Sequence, residues 1–308
     1  MAERLNLYQL IARNRTTTVF FILLFTFLLA VVGCLLGYFF TWGVEMYLLW
    51  AVFILVYNLV LYYNSDKLAL AVNRAQLASE EDFYELHNVV EEVALAAGIP
   101  KPKVYIIEDD ALNAFATGRN TRKAALAVTT GMLAIMNREE LQGVVAHEIA
   151  HIRNYDILFM TVVAILGGLL ILFRDVFLRW SFFMGGGRRR DSHARGGGQI
   201  GLILLLIGVV LAILAPFFVA IIRAAISRER EYLADASGAY IIRNPCGLAN
   251  ALRKIGTRSG KLLTASAATA HMFTADPFGK DKRDKVNLFA SHPPLSERIS
   301  RLEQLTIK

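Results

Sequence analysis

The sequence predicts an α+β, mainly helical integral membrane protein with about four transmembrane helices and a small β-sheet. Hydrophobic residues make up 55% of the 308 residues, mean hydropathy is +0.44 and 19% of residues are charged, which is too apolar for an ordinary soluble protein of this length. Four long apolar runs cross the sequence. The segments between and after these runs are polar and have helical or strand periodicity.

Charge and cysteine content narrow the class of protein. The net charge is +7 and the pI about 9.4, but Lys and Arg stand beside hydrophobic runs rather than in a separate arm with interleaved aromatic residues. We therefore expect a lipid bilayer with anionic headgroups as a partner, and no nucleic acid. Cys34 and Cys246 form no CxxC pair, which fits a reducing compartment and gives no cysteine metal cluster.

The first domain is predicted to be a membrane hairpin, residues 1–63. Residues 17–40 carry no charge, and this length is enough for a helix to cross a hydrocarbon core of about 30 Å. A second apolar run, at 46–63, follows a short loop without Lys or Arg. Lys and Arg flank both outer ends of the hairpin, so the positive-inside rule places these ends in the cytoplasm.

Residues 64–156 are predicted to form the first part of a cytoplasmic domain. A capping-box-like pattern at 79–82 predicts the start of an amphipathic helix that ends at Gly98. Asn137, with Glu140 three residues on, forms a second capping box and starts another helix. Three short strand candidates lie between these helices and predict a small sheet, at 104–107, 114–117 and 126–129.

A second membrane hairpin is predicted at 157–226. Its apolar runs, 157–173 and 200–226, are joined by a connection with six arginines and two triple-glycine stretches. Two ordinary spans would place those arginines on the outer side, against the positive-inside rule. The pair either crosses, with its orientation set by the first hairpin, or is re-entrant; we favour crossing. In both cases residues 227–308 return to the same side and complete the domain.

The segment His147-Glu148-Ile149-Ala150-His151 carries the chemistry predicted for this domain. His147 and His151 lie one turn apart on one face of a helix, so both present imidazole nitrogens to one Zn²⁺ ion per chain. Glu148 reaches a water at the open coordination position and is the predicted catalytic base. The pattern predicts a zincin-like metalloprotease domain that acts on polypeptide substrates.

The third zinc ligand is predicted outside this helix. The longer HExxHxxGxxH motif is absent, because Asn154 stands at its glycine position. Downstream, Glu231 and Asp235 have i, i+4 spacing, which predicts a zinc ligand followed by a carboxylate that accepts the free N–H of a ligating histidine. Glu229 is the rival ligand, but it would point about 200° away from Glu231 around the helix and lacks this spacing.

The chain resembles the HtpX family of membrane-bound zinc metalloproteases, relatives of the CAAX prenyl-protein endopeptidases, over essentially its whole length. Besides the N-terminal hairpin, five segments in this order carry the resemblance: NAFATG (113–118), AVTTGML (127–133), HEIAH (147–151), SREREYLAD (227–235) and SHPPLSERI (291–299). The Gly/Arg-rich connection at 185–198 departs from the family pattern.

The resemblance implies roles for residues and for the whole protein. It implies that His147, His151 and Glu231 bind zinc and that Glu148 is the catalytic base. It also implies proteolytic quality control and stress response in a bacterial inner membrane, with a multi-pass protein that cleaves misfolded or damaged membrane proteins and whose active site faces the cytoplasm.

Several further residues are candidates for supporting roles in catalysis or substrate binding. Asn154 and Asp156 either orient a zinc ligand or cap the junction with the next apolar run. His292, before two prolines, either stabilises the oxyanion or is structural, and Arg298 is a candidate partner for an active-site carboxylate. One strand is either an ordinary sheet strand or an exposed edge to which an extended substrate adds by main-chain hydrogen bonds, at Asn113, Ala114, Phe115 and Ala116.

A second class of function is a catalytically silent membrane adaptor that binds misfolded segments and uses a structural metal. A structural zinc site is closed by four protein ligands, whereas a catalytic site has three and an open position. The number of protein ligands therefore distinguishes the two functions.

Overall fold

A computed structural model shows the architecture of the chain and describes residues 7–162, 165–166, 175–176, 179, 208–209, 228–258, 272–274 and 293–305. The described part is mainly helical, with one small mixed sheet. Its first two elements are long helices, α1 (Leu7–Phe39) and α2 (Val44–Val72). These coincide with the first two predicted spans, whereas most of the third and fourth predicted spans lies outside the described residues.

Helices α1 and α2 form an apolar hairpin. Two stretches, Thr16–Tyr38 and Val44–Val72, are long and apolar enough to cross a membrane. Trp50 of α2 donates a hydrogen bond from Nε1 to the Leu29 carbonyl of α1, 3.0 Å away. Large apolar side chains point outward along both helices, with Phe27 67% exposed. Such a surface is unfavourable in water and is typical of contact with lipid.

Helix α2 continues past residue 63, the predicted end of the hairpin domain, and packs against the sheet. Its last two turns bury Ala69 and Leu70 in a cluster with Phe115 and Ala127. One continuous helix therefore connects the apolar hairpin to the sheet without a flexible linker.

The sheet has four strands in the order β1-β2-β4-β3. Its strands are β1 (Gln76–Leu77), β2 (Lys103–Ile107), β3 (Ala114–Gly118) and β4 (Ala124–Thr129). β2 and β4 are parallel, and the two other pairs are antiparallel. The three predicted strands are present; β1 was not predicted because two exposed residues give no periodic pattern. β3 forms one edge of the sheet.

Further helices within the described residues include α3 (Tyr84–Ala97), α4 (Thr130–Ile135), α5 (Arg138–Arg153), α6 (Arg228–Ile242), α7 (Pro245–Thr257) and α8 (Leu295–Glu303). The capping box of α5 is confirmed by reciprocal hydrogen bonds between Asn137 and Glu140, 2.8 and 2.9 Å long. The predicted helix start at 79–82 is wrong. The Ser79 hydroxyl accepts from the backbone N–H groups of Glu81 and Asp82, and this turn delays the helix.

Helix α5 is the central element of the domain and contacts α6 and α7 closely. A Cβ atom added to Gly238 of α6 would lie 2.9 Å from the backbone nitrogen of His147. A Cβ atom added to Gly143 of α5 would lie 2.4 Å from the backbone nitrogen of Leu248 on α7. Glycine at these contacts lets three backbones pack side by side, which fixes the position of α6 relative to α5.

We predict that Gly238→Ala destabilises the protein by about 1–3 kcal/mol, because the new methyl group meets backbone that cannot move aside. Gly256→Ala on α7 is the matched control, since its Cβ atom would meet only the Leu295 side chain at 3.3 Å. Both changes gain similar helix propensity, about 1 kcal/mol. Thermal unfolding in detergent tests this: an unfolding midpoint for Gly238→Ala equal to that of Gly256→Ala would contradict the close contact.

Candidate metal centre

Helix α5 positions the two histidines and the glutamate of the HEIAH segment. His147, Glu148 and His151 are 1%, 2% and 3% exposed. The rings of His147 and His151 have centroids 4.8 Å apart and are nearly perpendicular, at 89°. The helical spacing therefore places both imidazoles on one buried face, as the sequence predicts.

Helix α6 brings Glu231 to the two imidazoles. Glu231 is 1% exposed, and its carboxylate oxygens lie 3.5 Å from His151 Nε2 and 3.8 Å from His147 Nε2. One ligand atom from each residue lies within 4.8 Å of the others. Zinc bonds of about 2 Å in tetrahedral geometry require separations of about 3.3 Å, so small side-chain movements bring this set around one ion. Glu229 is exposed, which leaves Glu231 as the carboxylate facing the histidines.

Each histidine has its own carboxylate partner. His147 Nδ1 lies 2.9 Å from Asp235 Oδ1, and His151 Nδ1 lies 3.1 Å from Asp156 Oδ2. A histidine that donates from Nδ1 presents its Nε2 lone pair, and here both Nε2 atoms face Glu231. Of the two residues considered after α5, Asp156 thus contacts a histidine, while the backbone N–H of Asn154 caps the end of the helix.

Arg298 of α8 connects these groups. It is fully buried and donates from Nε and Nη2 to both oxygens of Asp235, at 2.9 and 2.7 Å. Its Nη1 lies 3.8 Å from Glu231 Oε2. This agrees with the predicted pairing of Arg298 with an active-site carboxylate. His292, the predicted oxyanion candidate, lies outside the described residues.

The pKa values of the site follow from these contacts. Burial alone would raise the pKa of Asp235, but the charge of Arg298 and the hydrogen bond to His147 hold it below its ordinary value. Burial alone would lower the pKa of His151, but the carboxylates of Asp156 and Glu231 raise it well above its ordinary value of 6.5. In the metal-free protein, His151 therefore tends to hold a second proton.

Glu148 faces the edge of the sheet. Its Oε1 accepts a hydrogen bond of 2.7 Å from the Thr274 hydroxyl, and the Thr274 N–H donates to the Ala114 carbonyl of β3, 2.9 Å away. The predicted edge residues thus lie near the predicted base, but they are buried rather than exposed, because residues 272–274 cover this edge of the sheet. Thr274 was not predicted, because it falls in a polar stretch without periodicity, and its partners are distant in sequence. Binding of substrate at this edge stays a prediction.

The arrangement places three side chains that could hold a metal ion beside the Glu148 carboxylate. Two imidazole nitrogens and one carboxylate are one of the donor sets found in catalytic zinc sites. Within the described residues this set has three members, and Glu148 lies next to it on the same helix. The geometry suits activation of a water molecule for hydrolysis.

Comparison with known proteins gives matches over most of the chain. Residues 80–306 match the model of peptidase family M48. A "Protease HtpX homolog" of Caldanaerobacter subterraneus subsp. tengcongensis is 56% identical, with 98% of each chain covered. One of Thermoanaerobacter pseudethanolicus is 53% identical, over 99% of this chain and 100% of the relative. The crystal structure of S. mikatae Ste24p matches with a TM-score of 0.50 at 20% identity, covering 89% of this chain and 62% of Ste24p.

We predict that the apparent zinc affinity of the metal-free protein rises with pH. Zinc needs the neutral imidazole of His151, whose raised pKa means that binding displaces a proton. Affinity should rise by up to about tenfold per pH unit until the pH passes the raised pKa. Competition with a chromophoric chelator between about pH 6 and about pH 8 measures this, and an affinity independent of pH would contradict the raised pKa.

Asp235→Asn is predicted to destabilise the protein by about 3–5 kcal/mol, because it removes the closest counter-charge of the buried Arg298 guanidinium. Arg298→Met should cost a similar amount. The double variant should cost clearly less than the sum, since it removes both charges. Denaturant unfolding of the wild type, the two single variants and the double variant gives the four free energies of a double-mutant cycle. If the two losses of stability simply add, Asp235 and Arg298 are not coupled.

Proposed function

Because the chain belongs to peptidase family M48 and is a metalloprotease, we propose that it is a membrane-embedded, zinc-dependent endopeptidase. Its substrates in this proposal are misfolded or damaged membrane proteins, cleaved on the cytoplasmic side of a bacterial inner membrane as part of quality control and the stress response. One observation carries the enzymatic part: Glu231 meets His147 and His151 in a buried site that also contains Glu148.

The three side chains fit zinc in chemistry, and small side-chain movements would complete the geometry. Imidazole nitrogen and carboxylate oxygen are ordinary zinc donors, and three protein ligands leave a fourth position for water or substrate. When bound there, zinc supplies positive charge that polarises the scissile carbonyl and makes water more acidic. Asp235 and Asp156 hold the two rings so that their Nε2 atoms stay directed at this position.

Glu148 performs the proton transfer in this proposal. As a carboxylate at the metal site, it accepts a proton from the attacking water and then passes this proton to the leaving amine. Its backbone lies within α5, so the position of its side chain is fixed by the same helix that carries His147 and His151. This common support keeps the base and two of the ligands in register.

The architecture supports a membrane setting. Helix α2 extends from the apolar hairpin to the sheet as one rigid element. β3, whose Ala114 carbonyl accepts from Thr274 beside Glu148, also packs against the end of α2 through Phe115. A catalytic domain held this close to the hairpin reaches peptide segments near the bilayer surface, which favours membrane proteins as substrates.

We predict that Glu148→Gln retains zinc but loses at least about 10³-fold in peptide cleavage, because the amide cannot accept the proton. Glu231→Gln should lose both zinc and cleavage. Glu229→Gln, an exposed neighbour on the same helix, is the matched control and should keep both. Zinc content by mass spectrometry and casein cleavage by the purified proteins test this. Full cleavage by Glu148→Gln would refute the assigned base, and zinc loss in Glu229→Gln alone would refute the assigned ligand.

A further inference from the structure

The outer edge of β3 is occupied by the chain's own residues 272–274. Phe273 pairs with Phe115 in an antiparallel bridge, and the Thr274 N–H donates to the Ala114 carbonyl, 2.9 Å away. The rings of Phe273 and Phe115 meet edge to face, with centroids 5.2 Å apart. Residues 272–274 are at most 2% exposed. This segment binds β3 as an added peptide strand would.

The same segment fills the space in front of the predicted base. The Thr274 hydroxyl donates to Glu148 Oε1 over 2.7 Å, and the Thr274 carbonyl accepts from Arg298 Nη1 over 3.0 Å. A general base must lie within hydrogen-bond distance of the water it activates, and the scissile carbonyl must lie beside that water. With Thr274 in this place, a substrate strand on β3 cannot present its carbonyl to Glu148.

We propose that Met272–Thr274 is an internal competitor that occupies the substrate position and must leave β3 before a polypeptide is cleaved. The proposal rests on the proposed endopeptidase function. It makes β3 the binding strand for an extended substrate that runs antiparallel to it, in the register now held by Phe273 and Thr274.

The proposal also assigns a specificity-determining residue. Phe115 lies on the face of the sheet that packs against α2, in a cluster with Ala69 and Leu70. Thr274 follows Phe273 and reaches Glu148, so the two residues point to opposite faces, as alternation along a strand requires. A substrate residue that replaces Phe273 therefore packs on the Phe115 ring. The site favours a bulky apolar residue, above all an aromatic one, next to the residue that faces the base.

Competition within one chain has a distinct kinetic signature. When the segment and the substrate exclude each other, closure of the segment raises the apparent KM and leaves kcat unchanged. A segment that instead builds the active site would contribute to the reaction, and weakening it would lower kcat. Weakening the segment should therefore lower KM if it is a competitor and lower kcat if it builds the active site.

The test is Phe273→Ala in the full-length, zinc-loaded protein in detergent, assayed with a quenched fluorescent peptide. This substitution removes the ring that contacts Phe115 and does not alter the side chains of Thr274 and Glu148. We expect KM to fall several-fold with kcat unchanged. Phe25→Ala is the matched control, because Phe25 is also 1% exposed but lies in α1 against Tyr57. It should leave KM unchanged.

A binding measurement separates this proposal from the endopeptidase proposal. A labelled peptide with the sequence of residues 269–276, TAHMFTAD, is titrated against Glu148→Gln proteins with and without Phe273→Ala. We expect tighter binding when Phe273 is absent from the protein, and binding at least about tenfold weaker when the peptide's Phe is replaced by Ala.

If the proteins with and without Phe273→Ala bind the peptide equally well, and Phe273→Ala leaves KM unchanged or raises it, then Met272–Thr274 does not compete with substrate. Absence of cleavage by the wild type would instead contradict the endopeptidase function. In that case, tighter peptide binding to the Phe273→Ala protein would still show that residues 272–274 occupy a peptide site.

Discussion

The accumulation of buried negative charge at the contact of α5 and α6 is the constraint on which the rest of the site depends. Four carboxylates lie buried there, from Glu148, Asp156, Glu231 and Asp235, while the Arg298 guanidinium supplies one permanent positive charge among the side chains described around them. Buried charges are stable only when they are paired. A divalent cation between His147, His151 and Glu231 would supply that pairing, and without it the neighbouring carboxylates raise the pKa of His151 and favour its protonated form.

Close helix packing around α5 brings these charged groups together. The glycine at position 238 brings the α6 backbone next to His147, which holds Glu231 within reach of both imidazoles. Arg298 contributes from α8, so three helices from separate parts of the sequence meet at one point. Helix α2 supports the other side of the domain through the sheet. The site is therefore held by rigid elements, and in our proposal its contact with β3 is the place where a substrate strand binds.

The grouping of His147, His151 and Glu231 could be predicted from sequence because helical periodicity fixes which side chains share a face. His147 and His151, and likewise Glu231 and Asp235, are spaced so that one helical turn decides which side chains share a face. Asp156 was ambiguous because it lies beyond the end of α5, where periodicity no longer applies. The turn at Ser79 was misjudged because the same serine pattern serves both helix starts and turns. The pairing of Phe273 with Phe115 had no local signal, since it joins residues far apart in sequence.

Anomalous diffraction at the zinc absorption edge from crystals of the purified, full-length protein tests the central claim most directly. We expect one peak per chain, about 2 Å from His147 Nε2, His151 Nε2 and a Glu231 carboxylate oxygen, with no fourth protein ligand. A peak at another place, a position closed by four protein ligands, or a Glu231 side chain turned away from the peak would contradict this expectation.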